Sequence, residues 1–370
     1  MEHNSHLFFA LLRTAMTGET FESVPSAKDW ADLYRIASQQ SVLGLCYTTF
    51  SQLSQEQLPP MKLMIQWISE GEKIRRMNEQ QNQEAARLTQ LFSEQGRKTA
   101  ILKGQANARL YQDPYSRQPG DIDIWVEGGG DSVMALLMKM GLVEEKANNP
   151  GKGKADTSSH HIDLPPTKDQ INVEVHFRPS SGNFNPFTNR RLQHWLDEEI
   201  KKPTGVTTAD GWEFFVPSVR FALVMQLSHI QRHFLAVGIG MRHICDYFWL
   251  MKNATEEDRQ VMAAMSKAFG LRHTAEALMW VLAEVLHLEE EKLYCEKDPY
   301  RGKRMLQEIM EGGNFGKYSE RQQHGTLRKV IETRWHHLQL MRFDFWEMLW
   351  LELNFWKKGT KMLWKIIAKR

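Results

Sequence analysis

From residue 1 to about 95 the apolar positions recur every three or four residues, the spacing of helices with one buried stripe. "DWADLYRIASQQSVLGLCYTTF", residues 29–50, carries it clearly. A longer run opens at Pro59–Pro60 and stops at Gly96, a start and stop pair for one long helix. The period then changes. "KTAILKG" (98–104) reads as a buried strand ending in glycine, "QANARLYQ" (105–112) as a helix, and "DPYSRQPG" (113–120) as a turn-rich loop. "DIDIWV" (121–126) predicts a second strand, and after "EGGG" either Asp131 or Ser132 is placed to cap a helix over "VMALLMKMG". "NNPGKGKADTSS" (148–159) predicts a flexible loop, and "HHIDL", "PPTKDQ" and "INVEVHF" predict strand, turn and strand. Beyond Pro217 the helical period returns and continues to the end. The pattern predicts an α+β protein: residues 1–95 as an N-terminal helical segment, 96–215 as a small mixed-sheet core, and 216–370 as a C-terminal helical domain.

Composition narrows the class without naming it. The 370 residues are 42% apolar and 25% charged, with a formal net charge of +2. Such a balance is ordinary for a globular protein and gives no global pull toward nucleic acid or membrane. Cys46, Cys245 and Cys295 are far apart and form no CxxC. A disulfide framework or zinc ribbon is therefore not expected, and a reducing cytoplasmic location is. The first residues lack a basic stretch before their short apolar run, which reads as a helix and not a signal peptide. No apolar run is long enough to predict a transmembrane helix.

The candidate chemistry sits in "GDIDIWV", residues 120–126. Alternation along a strand puts Asp121 and Asp123 on one face and Ile122, Ile124 and Val126 on the other. Two carboxylates beside a buried apolar face need a neutralising cation. "INVEVHF" supplies a third carboxylate, Glu174, on a polar face shared with Asn172 and His176. Carboxylates on neighbouring strands suit divalent magnesium, and two on one face can bridge a metal pair. The second element is "LKGQ", residues 102–105. A strand ends, Gly104 permits close backbone approach, Lys103 adds a point charge, and a helix N-terminus follows, a combination that suits phosphate.

With these residues in place, the sequence resembles the polymerase-beta-like nucleotidyltransferase superfamily. More closely, "LKGQANARLYQDPYSRQPGDIDIWV", "VEVHFRP" and the helical "LSHIQRHFLAVGIGMRHICDYF" resemble a bacterial family of uncharacterised nucleotidyltransferases, over roughly residues 30–250. The superfamily turn is usually Gly-Ser or Gly-Gly. Here Gln105 follows Gly104, in the Lys-Gly form that the closer family shares. The resemblance implies metal-dependent transfer of a nucleoside monophosphate from a nucleoside triphosphate to a hydroxyl acceptor that the sequence leaves unnamed. It implies Asp121, Asp123 and Glu174 as catalytic metal ligands, two magnesium ions, and Lys103, Gly104 and Gln105 at the phosphates.

Further candidates for the nucleotide are Arg117, in the loop before the strand, and His176. His160 and His161 begin a predicted strand and point to opposite faces, which leaves room for one of them to face the site. His229 and His233 stand at i, i+4 on a helix, where they can line the cleft with Arg242 and Asp246; a structural ion pair is the simpler account of Arg242 and Asp246. The segment from Arg334 holds five of the twelve tryptophans, with eight Lys/Arg against three Asp/Glu. It is expected mainly to pack on the body, with contact to a membrane surface or a partner as the alternative. A D-x-D glycosyltransferase is a rival enzyme reading, but it needs a doubly wound unit where this chain is helical. A non-catalytic nucleotide-binding or scaffold protein is the rival outside enzymes.

Overall fold

The computed structural model describes residues 2–144, 153–154, 160–319 and 326–367. Four helices come first: α1 (Glu2–Thr17), α2 (Ala27–Gln39), α3 (Leu43–Tyr47) and α4 (Met61–Ser93). α2 starts at a reciprocal cap, in which Ser26 accepts from the Asp29 N–H and the Asp29 carboxylate accepts from the Ser26 N–H. The mixed region holds β1 (Thr99–Ile101), α5 (Gln105–Ala108), β2 (Ile122–Val126), α6 (Gly129–Lys139), β3 (Val143–Glu144), β4 (Gly153–Lys154), β5 (His161–Leu164), β6 (Val173–His176), α7 (Pro186–Glu199), β7 (Thr204–Thr207) and β8 (Glu213–Val216). Helices follow: α8 (Val219–Ala236), α9 (Met241–Asn253), α10 (Glu256–Ala268), α11 (Arg272–Leu286), α12 (Pro299–Gly312), α13 (Thr326–Leu340) and α14 (Phe345–Ile367). Among the described residues no strand precedes Thr99, so the doubly wound unit of the glycosyltransferase rival is not found there.

The sheet runs β1-β2-β6-β5. β2 lies antiparallel to β1 and parallel to β6, and β5 returns antiparallel on β6. One face of β2, with Ile122, Ile124 and Val126, packs with Val173 and Val175 onto Ala85, Leu88 and Phe92 of α4 and Val133 and Leu137 of α6. The β7–β8 hairpin closes this core through Phe214 and Val216. Trp125 points the other way, into a larger core built mostly from helices, with Trp67 and Ile74 of α4 and Tyr247 and Phe248 of α9. α4 thus serves both cores along its length.

One local expectation changes, and another falls outside the described residues. α6 starts at Gly129 with Gly128 as its cap, and neither Asp131 nor Ser132 caps it. Gly128 and Gly129 both take positive φ, so the chain turns into the helix earlier than a side-chain cap would place it. The loop expected at 148–159 lies outside the described residues, apart from Gly153 and Lys154.

The C-terminal tryptophans do not all pack. Trp350 is half-buried against the Phe187 ring, but Trp346 and Trp356 are 62% and 61% exposed. Packing falls instead to the opposite side of α14, where Glu347, Met348 and Leu351 are buried.

Candidate functional site

Register brings the expected residues together. On the parallel pair β2–β6, Asp123 stands opposite Glu174 and Trp125 opposite His176. On β5–β6, His161 stands opposite His176 and Asp163 opposite Glu174. Since partners across a ladder share a face, Asp123, Glu174, His176 and His161 form one polar surface on three adjacent strands.

The cation asked for by the sequence is present in the chain itself. Lys103 Nζ lies 2.9 Å from Asp123 Oδ1, and His176 Nε2 lies 3.0 Å from the same oxygen. His176 Nε2 also lies 3.2 Å from Glu174 Oε2, and His161 Nδ1 lies 3.4 Å from that oxygen. Burial pushes the Asp123 carboxyl up, but the Lys103 ammonium and the His176 hydrogen bond outweigh it and hold the group well below the usual carboxylate range. In the same way burial opposes charge on His176, while its bonds to Asp123 and Glu174 raise its affinity for a proton. Glu174 is held below its ordinary range against burial, chiefly by the His176 hydrogen bond.

Donor atoms of Asp123, Glu174 and His176 lie within 4.8 Å of one another, as do those of His160, His161 and His176. Asp121 is in no such group among the described residues. It sits one residue before β2, exposed, and accepts a 3.1 Å hydrogen bond from Asn172 Nδ2. It still lines the same cleft as Asp123 and Glu174.

This cleft, of about 1020 Å³, lies between the polar sheet face and α8, α9 and the Asn314–Gly316 turn. A larger groove of about 1260 Å³ runs beside α4 and the β7–β8 hairpin, but it contains none of Asp121, Asp123 or Glu174.

Other expected residues divide. Lys103 and Gly104 line the cleft, and Gly104 has φ +57°, a conformation that favours glycine. The helix after it is a single turn, Gln105–Ala108, too short for much of a macrodipole. The Gln105 side chain is buried away from the cleft, donating to Asn78 O and to Asn82 Oδ1 on α4. Arg117 lines the cleft but grips Asp246 bidentately, at 2.7 and 2.8 Å. Asp246 also accepts from the Tyr111 hydroxyl at 2.7 Å. The ion pair expected between Arg242 and Asp246 is thus replaced by Arg117 with Asp246. Arg242 donates instead to the carbonyls of Gln118 and Pro119, supporting the loop that leads into Asp121.

Both His160 and His161 reach the site, where strand alternation leaves room for one. His160 precedes β5 and so is free of strand alternation; its ring lies 4.5 Å from His161 and 5.1 Å from His176. His229 and His233 line the cleft with their rings 4.2 Å apart. Burial, together with the charge of Lys103, pushes the His233 imidazole down to about 4, and His229 also falls well below its ordinary value.

The sequence alone did not flag Arg178, Arg232, Phe315 and Lys317 as site residues, yet all line the cleft. Phe315 meets the rings of His233 and His243 edge-on. Its only sequence signal is the glycine-rich "GGNFGK", where Gly313, Phe315 and Gly316 all take positive φ.

A family model described as uncharacterised nucleotidyltransferase matches residues 26–287. No curated protein matches the chain. Among solved structures, an antigenic nucleotidyltransferase-like protein from Paracoccidioides brasiliensis is similar at 14% identity and a TM-score of 0.35, covering 55% of this chain and 91% of that one.

Proposed function

The chain belongs to the uncharacterised nucleotidyltransferase family, and from that premise we propose that its cleft transfers a nucleoside monophosphate from a nucleoside triphosphate to a hydroxyl acceptor, with a divalent cation. The observation that carries this reading is the register of Asp123 opposite Glu174 on neighbouring strands, both facing the cleft.

Asp123, Glu174 and His176 fit a divalent ion: two carboxylates and an imidazole converge, and Asp121 faces the same space. Oxygen donors suit magnesium, and the imidazole makes manganese an equally good guest. When bound, the cation supplies charge neutralisation for the triphosphate during attack at the α-phosphorus. The residues of the chain then have separable duties. Lys103, which neutralises Asp123 in the free protein, has a second anion to turn to when phosphates enter. Glu174, held ionised at neutral pH, can accept the proton of the acceptor hydroxyl. Arg232 and Lys317 on the helical wall, with Arg178 just after β6, give the cleft a positive charge suited to an anionic substrate. Arg242 and the Arg117–Asp246 pair position the Asp121 loop and are not assigned to the phosphates.

One observation favours a second reading, a nucleotide-binding protein without turnover: Asp123 is already neutralised by Lys103 and His176. The test separates the two. The purified chain is incubated with each labelled nucleoside triphosphate, magnesium or manganese, and a cell extract as the source of acceptor. Pyrophosphate release with a labelled product is expected. Triphosphate binding without product would support the second reading, and no binding in either metal would remove both.

A further inference from the structure

We propose that α14, with the basic sequence that ends it, is a membrane-surface helix that docks on anionic lipid. The helix turns its acidic residues inward along with apolar ones. Glu347 accepts from the backbone N–H groups of Phe184 and Asn185, at 2.8 and 3.3 Å, and Met348 and Leu351 are buried beside it. Asp344 caps the helix through the Glu347 N–H at 3.1 Å.

The outward stripe is apolar. Phe345 is 50% exposed, Trp346 62% and Leu353 47%. Leu349 and Trp350 are half-buried between them at helical spacing. Every residue from Leu353 to Lys357 is exposed, while the inner edge of the helix stays on α13, where the Arg334 guanidinium lies 3.8 Å over the Phe355 ring. In sequence the stripe continues at the same spacing with Leu363, Trp364 and Ile367. Exposed tryptophans in a row are rare on a surface that faces only water.

Charge identifies the occupant. Residues 357–370 contain six Lys/Arg and no Asp/Glu, on a chain whose net charge is only +2. Tryptophan beside lysine is the composition of helices that lie in the headgroup region, with the apolar stripe in the acyl boundary and the basic residues at phosphates. An apolar protein groove would explain the stripe and not the run of lysines. No helix among the described residues is long and apolar enough to cross a membrane, which leaves α14 lying on one.

The full chain is floated with vesicles of equal phosphatidylglycerol and phosphatidylcholine, and with vesicles of phosphatidylcholine alone. Binding is expected with the first and weak or absent with the second, with loss at high salt. Each lysine changed to glutamine near the surface should lower partitioning about fivefold, tested with Lys357→Gln and Lys361→Gln. Trp346→Ser with Leu353→Ser should lower it at least about tenfold. Both positions are exposed, and an unchanged circular dichroism spectrum and urea midpoint confirm that the variants fold. Blue-shifted tryptophan emission on vesicle addition, smaller in the serine variant at equal lipid, is also expected. No flotation with either vesicle, or equal flotation with both, would overturn the proposal. A stable dimer in solution that Trp346→Ser dissociates would also overturn it, assigning the stripe to a second copy of this chain.

Discussion

Asp123 and Asp246 are both buried aspartates salt-bridged to a basic side chain, and they illustrate two uses of the same ingredients. Asp246 is saturated: Arg117 holds both its oxygens, and the Tyr111 hydroxyl adds a third hydrogen bond. Bidentate guanidinium pairing fixes geometry as well as charge. Asp123 meets a lysine, a flexible point charge, and shares one oxygen with His176 at the edge of an open cleft. The first arrangement is a rivet between the loop before β2 and helix α9. The second can exchange its partner without unfolding anything. A perturbed carboxyl alone does not distinguish a site from a rivet, since both aspartates are held below their ordinary range against burial. Access and the flexibility of the partner do.

Substitution at each should break the comparison in opposite directions. Asp123→Asn keeps the shape and should reduce pyrophosphate release by about 10³, the upper range for loss of one positioned electrostatic group, with a smaller fall in urea midpoint than Asp246→Ala, because Lys103 borders the open cleft and can turn to solvent. Near-full activity would remove the open cluster from the reaction. Asp246→Ala strands the Arg117 charge in the interior and should cost about 3–5 kcal/mol of stability, read by urea denaturation. A loss of activity in Asp246→Ala with unchanged stability would make it a site residue after all.

Between these lies Glu174, whose partners are two histidines. Glu174→Gln should leave triphosphate binding intact while slowing transfer about 10²-fold, the scale on which a positioned acid–base group acts. Weakened binding with an unchanged rate for bound substrate would move Glu174 from the reacting centre to simple charge balance.

The strand content of this contrast was legible in the sequence, because alternation fixes which residues share a face. Alternation puts Glu174 and His176 on one face of their strand; that Asp123 stands beside them depends on β2 and β6 being neighbours, which metal chemistry and the family resemblance suggest and alternation does not. Legibility failed where a side chain's partner is far away in sequence. Nothing local says that Arg117 will meet Asp246 across 129 residues, while the i, i+4 spacing pointed to Arg242. The motif points Gln105 to the phosphates, but its buried side chain bonds to Asn78 and Asn82 of α4. His160 and His161 were separated by strand alternation, which does not bind a residue just outside the strand. The α14 tryptophans were expected mainly to pack on weight of aromatic content. The hidden factor was Glu347, whose bonds to the 184–185 backbone pull the polar side of the helix inward.

Glu347 also gives the comparison its third case, a buried carboxyl that among the described residues has no salt bridge, with only the more distant Arg232 guanidinium to oppose its burial. Its partners are the N–H groups of Phe184 and Asn185 and the Thr188 hydroxyl. Burial here outweighs those bonds, and nearby Asp344 adds repulsion, so the group is pushed up to about 7 where Asp123 and Asp246 are pushed down. The sign of the stability effect follows. Between its ordinary value of 4.5 and about 7 the folded chain holds a proton on Glu347 that the unfolded chain has released. The stability contribution is therefore complete below that range and is lost as pH rises through it, by at most about 1.4 kcal/mol per pH unit. Glu347→Gln removes the titration and keeps a hydrogen-bond acceptor toward the two N–H groups. The difference in unfolding free energy between wild type and Glu347→Gln should fall from about pH 4.5 to 7 and level off above it. Urea denaturation across this range reads it directly. A difference that rises with pH would mean that the two N–H groups stabilise the carboxylate more than burial opposes it. Glu347 would then join the two aspartates, and a cation would no longer be what separates a depressed buried carboxyl from a raised one.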